Sequence, residues 1–76
     1  MALSAASELA LFHRTLASGF VSLGWRIRLA RIRSTLPVGA PARRLAIKAA
    51  NDDMVDAMAR VRDAYWTECN AALRAI

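Results

Sequence analysis

Two side chains of this 76-residue chain are suited to nucleophilic or acid–base chemistry near neutral pH, His13 and Cys69, and each residue type occurs only once. A nucleophile needs a base beside it and a third group to orient that base, so these two do not make a catalytic set. No glycine-rich phosphate loop accompanies them. One histidine and one cysteine also fall short of a four-ligand zinc site. Asp52, Asp53 and Asp56 lie close together, but on a helical pattern and without a liganding loop, so they do not read as a calcium site. No catalytic, metal or cofactor-binding residue is assigned, and the chain is not expected to be an enzyme. His13 reads as a partly exposed residue beside Arg14, Cys69 as a small packed hydrophobe, and the three aspartates as partners for arginines on a facing helix.

The chemistry that does recur is anion recognition. The segment Trp25-Arg26-Ile27-Arg28-Leu29-Ala30-Arg31-Ile32-Arg33 alternates bases with apolar residues. On a helix Arg26 and Arg33 share one flank and Arg28 and Arg31 the other, with Trp25, Leu29 and Ile32 on an apolar ridge between them. Arg43, Arg44 and Lys48 follow at the start of a second helical stretch, where free backbone N–H groups already favour negative charge. Residues 1–50 hold eight bases against one acid and residues 51–76 three against five, giving the net charge of +5. This asymmetry points to an acidic protein groove, a phosphate backbone or a charged membrane surface as the partner. Trp25 is the expected anchor in the first case and a stacking platform in the second.

Two long helices must position these groups. From Leu9 an apolar stripe runs through Phe12, Leu16, Phe20, Leu23, Ile27 and Ala30 at steps of three and four. Ser4 or Ser7 is the expected cap, with Glu8 in the first turn. Gly19 and Gly24 each weaken the helix, so a break near Gly19, with a three-helix arrangement, is the alternative. Pro37-Val38-Gly39-Ala40-Pro41 ends the first helix and begins the second, and so short a connection makes the two antiparallel neighbours. In the second helix Ala50, Ala57, Ala64 and Ala71 recur every seven residues, a small-residue stripe suited to close packing. Ala10, Ala17 and Gly24 recur likewise on the first helix, predicting contacts such as Ala17 with Ala57 at a constant index sum of 74.

The fold class expected is an all-α antiparallel helical hairpin in a single domain, with helices over about 5–35 and 42–75 and a turn at 36–41. A second stripe, Leu11, Ser18, Val21, Trp25, Leu29, Ile32 and Leu36, lies nearly opposite the first. One partner helix covers one stripe. The sequence reading therefore has Val21, Trp25, Leu29, Ile32 and Leu36 buried against another protein or a second copy of the chain, in a four-helix bundle. An apolar fraction of 57% in so short a chain supports intermolecular burial. The expected function is a small non-enzymatic interaction module docking Trp25, Arg26, Arg28, Leu29, Arg31, Ile32, Arg33, Arg43, Arg44 and Lys48 onto an acidic partner. The alternative is a basic hairpin binding RNA or DNA through phosphates. The longest uncharged run, Thr15 to Trp25, is too short to span a bilayer. A single cysteine fits a reducing compartment, so a cytoplasmic location is expected. The Ala-, Ser-, Leu- and Arg-rich first half resembles organellar transit peptides in composition, which makes an organellar matrix the alternative.

Overall fold

The computed structural model describes the backbone of residues 2–75 and the side chains of residues 5–75. Helix α1 spans Ala2–Thr35 and helix α2 spans Pro41–Arg74, and the two pack against each other along their length. This is the expected all-α hairpin. Among the described residues there is no strand, and no helix is long and apolar enough to cross a membrane.

Local chemistry accounts for both helix ends at the turn. The hydroxyls of Ser34 and Thr35 donate back to the Arg31 carbonyl at 3.0 and 2.7 Å, and the Leu36 N–H donates to the Ile32 carbonyl at 3.0 Å, closing the last turn of α1. The Ala40 N–H then donates to the Pro37 carbonyl at 3.2 Å, closing a four-residue turn. Gly39 sits at its third position with φ of 84°, a conformation a Cβ would strain. Pro41 follows at the start of α2, where a missing N–H costs nothing.

Two expectations about α1 are corrected. The helix begins at Ala2, so Ser7 lies inside it and Glu8 falls beyond its first turn, while the side chain of Ser4 lies outside the described residues. Nor is there a break at Gly19 or Gly24, because the helix runs through both and is anchored on α2 around them. The three-helix alternative is thereby excluded.

The larger correction concerns which stripe packs. Val21, Trp25, Leu29, Ile32 and Leu36 are half-buried or buried, and they form the seam against α2 together with Ala10 and Ala17. Leu9, Phe12, Leu16, Phe20, Leu23 and Ile27 are instead left between 49% and 66% exposed. The stripe expected to need an outside partner is the intramolecular one, and the stripe expected to pack on α2 faces outward. Small size at Ala10 and Ala17 lets the helices approach on the side that also carries Trp25, whose indole N–H finds an acceptor there.

The alanine repeat of α2 follows the seam for only part of its length. Ala50 is 2% exposed and Ala57 half-buried, whereas Ala64 and Ala71 are exposed. A straight α-helix drifts by about 20° per seven residues, so a strict heptad rotates out of a straight contact. Val61, Tyr65, Glu68 and Ala72 take over the seam. The expected pairs line the interhelical grooves together, Ala10 with Ala64 and Ala17 with Ala57 in one and Gly24 with Ala50 in another, although a Cβ built on Gly24 would meet nothing within 4 Å. The longer polar side chains reach further along the helices, His13 to Glu68, Trp25 to Asn51 and Arg28 to Asp53, with index sums between 76 and 81.

The resulting core is thin. Ala10, Leu29 and Ala50 are the buried residues among those described. The radius of gyration is 17.3 Å, against about 11 Å for a compact chain of this length. The drift of the repeat is testable by chemical denaturation. Ala50→Leu should overpack the seam and cost about 1–3 kcal/mol, while Ala71→Leu should change stability by less than about 0.5 kcal/mol. Equal costs at the two positions would mean that the whole alanine stripe is in the seam.

Candidate functional site

The residues singled out by sequence fall into three groups. Trp25, Leu29 and Ile32 belong to the seam. Trp25 Nε1–H donates to Asn51 Oδ1 at 2.9 Å, and Leu29 is 7% exposed. These side chains support the hairpin and are not presented outward, which corrects the expectation of an exposed tryptophan anchor or stacking platform. The reason is chemical, since a half-buried indole N–H needs an acceptor and α2 supplies one.

Arg28 and Lys48 form a second group, already engaged with carboxylates. Arg28 Nη1 lies 2.6 Å from Asp53 Oδ2 across the helices, and Lys48 Nζ lies 2.7 Å from Asp52 Oδ2 one turn along α2. The hydrogen bond that Lys48 donates to Asp52, with the charge attraction behind it, raises the Lys48 pKa above its ordinary value. Both pairs are solvent-exposed, so water and salt screen them and they add little to stability. They neutralise part of the basic surface, but of the three aspartates expected to meet arginines of the facing helix only Asp53 does so, while Asp52 pairs with a lysine of its own helix. Asp56, the third member, has no basic group within ion-pair distance among the described residues.

The third group is Arg26, Arg31, Arg33, Arg43 and Arg44. None of them has a carboxylate within ion-pair distance among the described residues. Three of these converge on the closed end of the hairpin. Arg33 from the last turn of α1 and Arg43 and Arg44 from the first turn of α2 line a shallow hollow with Val38, Gly39, Ala40 and Ile47. Val38 stands at the tip and is 88% exposed. The turn brings these arginines together across the break in the helices, a convergence that helical spacing within either segment does not reveal.

Toward the open end a longer groove runs between the helices, with Ala10, Ala17 and Val21 facing Ala57, Val61 and Ala64. At its mouth His13 Nδ1 meets Glu68 Oε1 at 2.9 Å, and the Arg14 guanidinium lies 5.0 Å from the centre of the Tyr65 ring. His13 thus has the carboxylate neighbour that an acid–base role would need, but no nucleophile lines this groove. Cys69 is half-buried. Among the described residues no group of three histidine, cysteine or acidic side chains is placed to hold a metal ion.

Comparison with known proteins adds no functional assignment: no family model, no curated protein and no solved structure matches the chain.

The seam role of Trp25 is checked by fluorescence. In Trp66→Phe the remaining tryptophan should be quenched by acrylamide less than the one remaining in Trp25→Phe, because Trp66 is 57% exposed. Trp25→Ala should destabilise the fold by about 1–3 kcal/mol. Equal quenching in the two single-tryptophan variants would contradict the placement.

Proposed function

We propose that this chain is a small non-enzymatic interaction module that presents the closed end of its hairpin to an acidic protein surface, in the cytoplasm. The observation that carries this reading is the arrangement of Arg33, Arg43 and Arg44 around the exposed Val38 tip, with no carboxylate of the chain paired to them among the described residues. Guanidinium groups match carboxylates through paired N–H donors. An apolar tip inside a basic rim adds the desolvated anchor that a protein interface relies on and a phosphate backbone does not use. Arg26 and Arg31 extend the basic surface along α1, and Arg28 and Lys48 are partly discharged by Asp53 and Asp52.

The nucleic-acid alternative draws on the same arginines but lacks a stacking residue beside them, since Trp25 is committed to Asn51. Two probes separate the readings: an amphipathic helical peptide rich in glutamate and leucine, and a 20-base-pair duplex. The acidic-partner reading expects peptide binding that falls at least about tenfold in Val38→Asp and is lost in Arg43→Glu/Arg44→Glu. Should the duplex bind instead, with a log–log salt slope of about −3 to −4 and no effect of Val38→Asp, the chain is a phosphate binder and the proposal is wrong.

A further inference from the structure

The outward stripe of α1 is the largest feature that the basic tip does not explain. Leu9, Phe12, Leu16, Leu23 and Ile27 lie on the side of α1 turned away from the seam, Phe20 stands at its edge where it also borders a groove against α2, and each of the six is about half exposed or more. The accessible surface of the chain is 5778 Å². A folded monomer of its 8.3 kDa mass is expected to expose about 4,600 Å². The excess, on the order of 1,200 Å², belongs to the elongated hairpin as a whole and includes Leu11, Leu45, Val55, Trp66 and Leu73 as well as this stripe.

The pattern within the stripe indicates what covers it. Phe12, Thr15, Leu16, Gly19, Phe20 and Leu23 enclose an apolar hollow on the helix surface. This set consists of two successive four-residue holes, 12/15/16/19 and 16/19/20/23, of the kind that receives a side chain from a facing helix. Reversing the chain direction about a point between Ala17 and Ser18 maps the set onto itself: position 12 exchanges with 23, 15 with 20, and 16 with 19. Successive holes of this spacing always map onto themselves in this way, so in an antiparallel contact residue i of one copy faces residue j of the other and j faces i, as a two-fold symmetric contact does.

Charge at the ends of the stripe fits the same reversal. Glu8 and Arg26 are 18 residues apart, five whole turns, so they stand on the same flank of α1. In an antiparallel pair centred near position 17.5, Glu8 of one copy falls beside Arg26 of the other, twice over. A parallel pair would instead set Arg26 near Arg31 of its neighbour, and like charges there oppose docking.

From these features we infer that a second copy of the chain docks antiparallel on the outer face of α1, with index sums near 35. Leu16 of each copy seats over Gly19 of the other, Phe12 packs on Leu23, and Leu9 and Ile27 close the two ends. Both copies keep their seams with α2 on their far sides, so the product is a four-helix layer. The two basic tips then point in opposite directions, on the order of 60 Å apart by helix rise. This contact is independent of the acidic-partner reading and uses none of the arginines at the turn.

The test is the mass in solution of the full chain under reducing conditions, by light scattering and sedimentation, with two kinds of variant. The wild type is expected to be a dimer. Gly19→Leu fills the hollow of both copies. Because a Cβ at that position meets nothing within 4 Å in its own chain, the substitution should not disturb the packing of α1 on α2. It should raise the dimer dissociation constant by about 100-fold or more. Glu8→Arg and Arg26→Glu should each weaken self-association, and an equimolar mixture of the two should recover dimers that native mass spectrometry identifies as heterodimers. A helical monomeric wild type overturns the inference, and if that monomer binds anionic vesicles the stripe is a membrane-surface element instead. A dimer indifferent to Gly19→Leu, or homodimers persisting in the charge-swap mixture, would equally refute the antiparallel contact.

Discussion

A hairpin of two helices has a single seam, and a helix with apolar residues on two opposite sides can bury only one of them there. Every other feature of this chain follows from how that constraint is met. The seam takes the side of α1 where Ala10 and Ala17 keep the helices close and where Trp25 finds Asn51. The opposite side, which carries both phenylalanines, is left to solvent. Burial of three residues, two of them alanines, is a small hydrophobic gain for ordering two 34-residue helices. Chains of this size commonly need an additional source of stability, and a second copy on the outer face would supply one.

Polar interactions tune the seam without dominating it. The pairs Arg28–Asp53 and His13–Glu68 link α1 to α2 at exposed positions, where water competes and salt screens. Their value is in alignment. Together with the Trp25–Asn51 hydrogen bond they fix how far α2 slides along α1, a degree of freedom that a stripe of alanines leaves loose. The short turn acts in the same direction, since Gly39 at positive φ and Pro41 at the next helix start leave little slack at the closed end.

The sequence made the two helices, the proline-bounded turn and the pairing of Asp53 with an arginine of α1 legible, because each depends on local chemistry or simple charge. Two things were not legible. Periodicity placed two apolar stripes on α1 but could not rank them, since both recur at steps of three and four. The deciding signal was the small size of Ala10 and Ala17 and the need of Trp25 for an acceptor, which weigh more at a close helix–helix contact than the number of large side chains. The alanine heptad was also read too far. Its strict period of seven, laid on a straight helix, leaves Ala64 exposed at the edge of the interhelical groove and carries Ala71 out of it. For the candidate site, the arginines were visible one by one, but the grouping of Arg33 with Arg43 and Arg44 around Val38 depends on the turn geometry.

The central claim is that a second copy docks across the outer face of α1 and stabilises the hairpin. Folding coupled to association makes stability depend on chain concentration, whereas a self-sufficient monomer unfolds at one temperature regardless of it. Thermal unfolding of the wild-type chain, followed by circular dichroism over a hundredfold range of concentration with reductant present, therefore tests the claim most directly. The account predicts a midpoint that rises steadily with concentration. A cooperative transition whose midpoint does not move would contradict it.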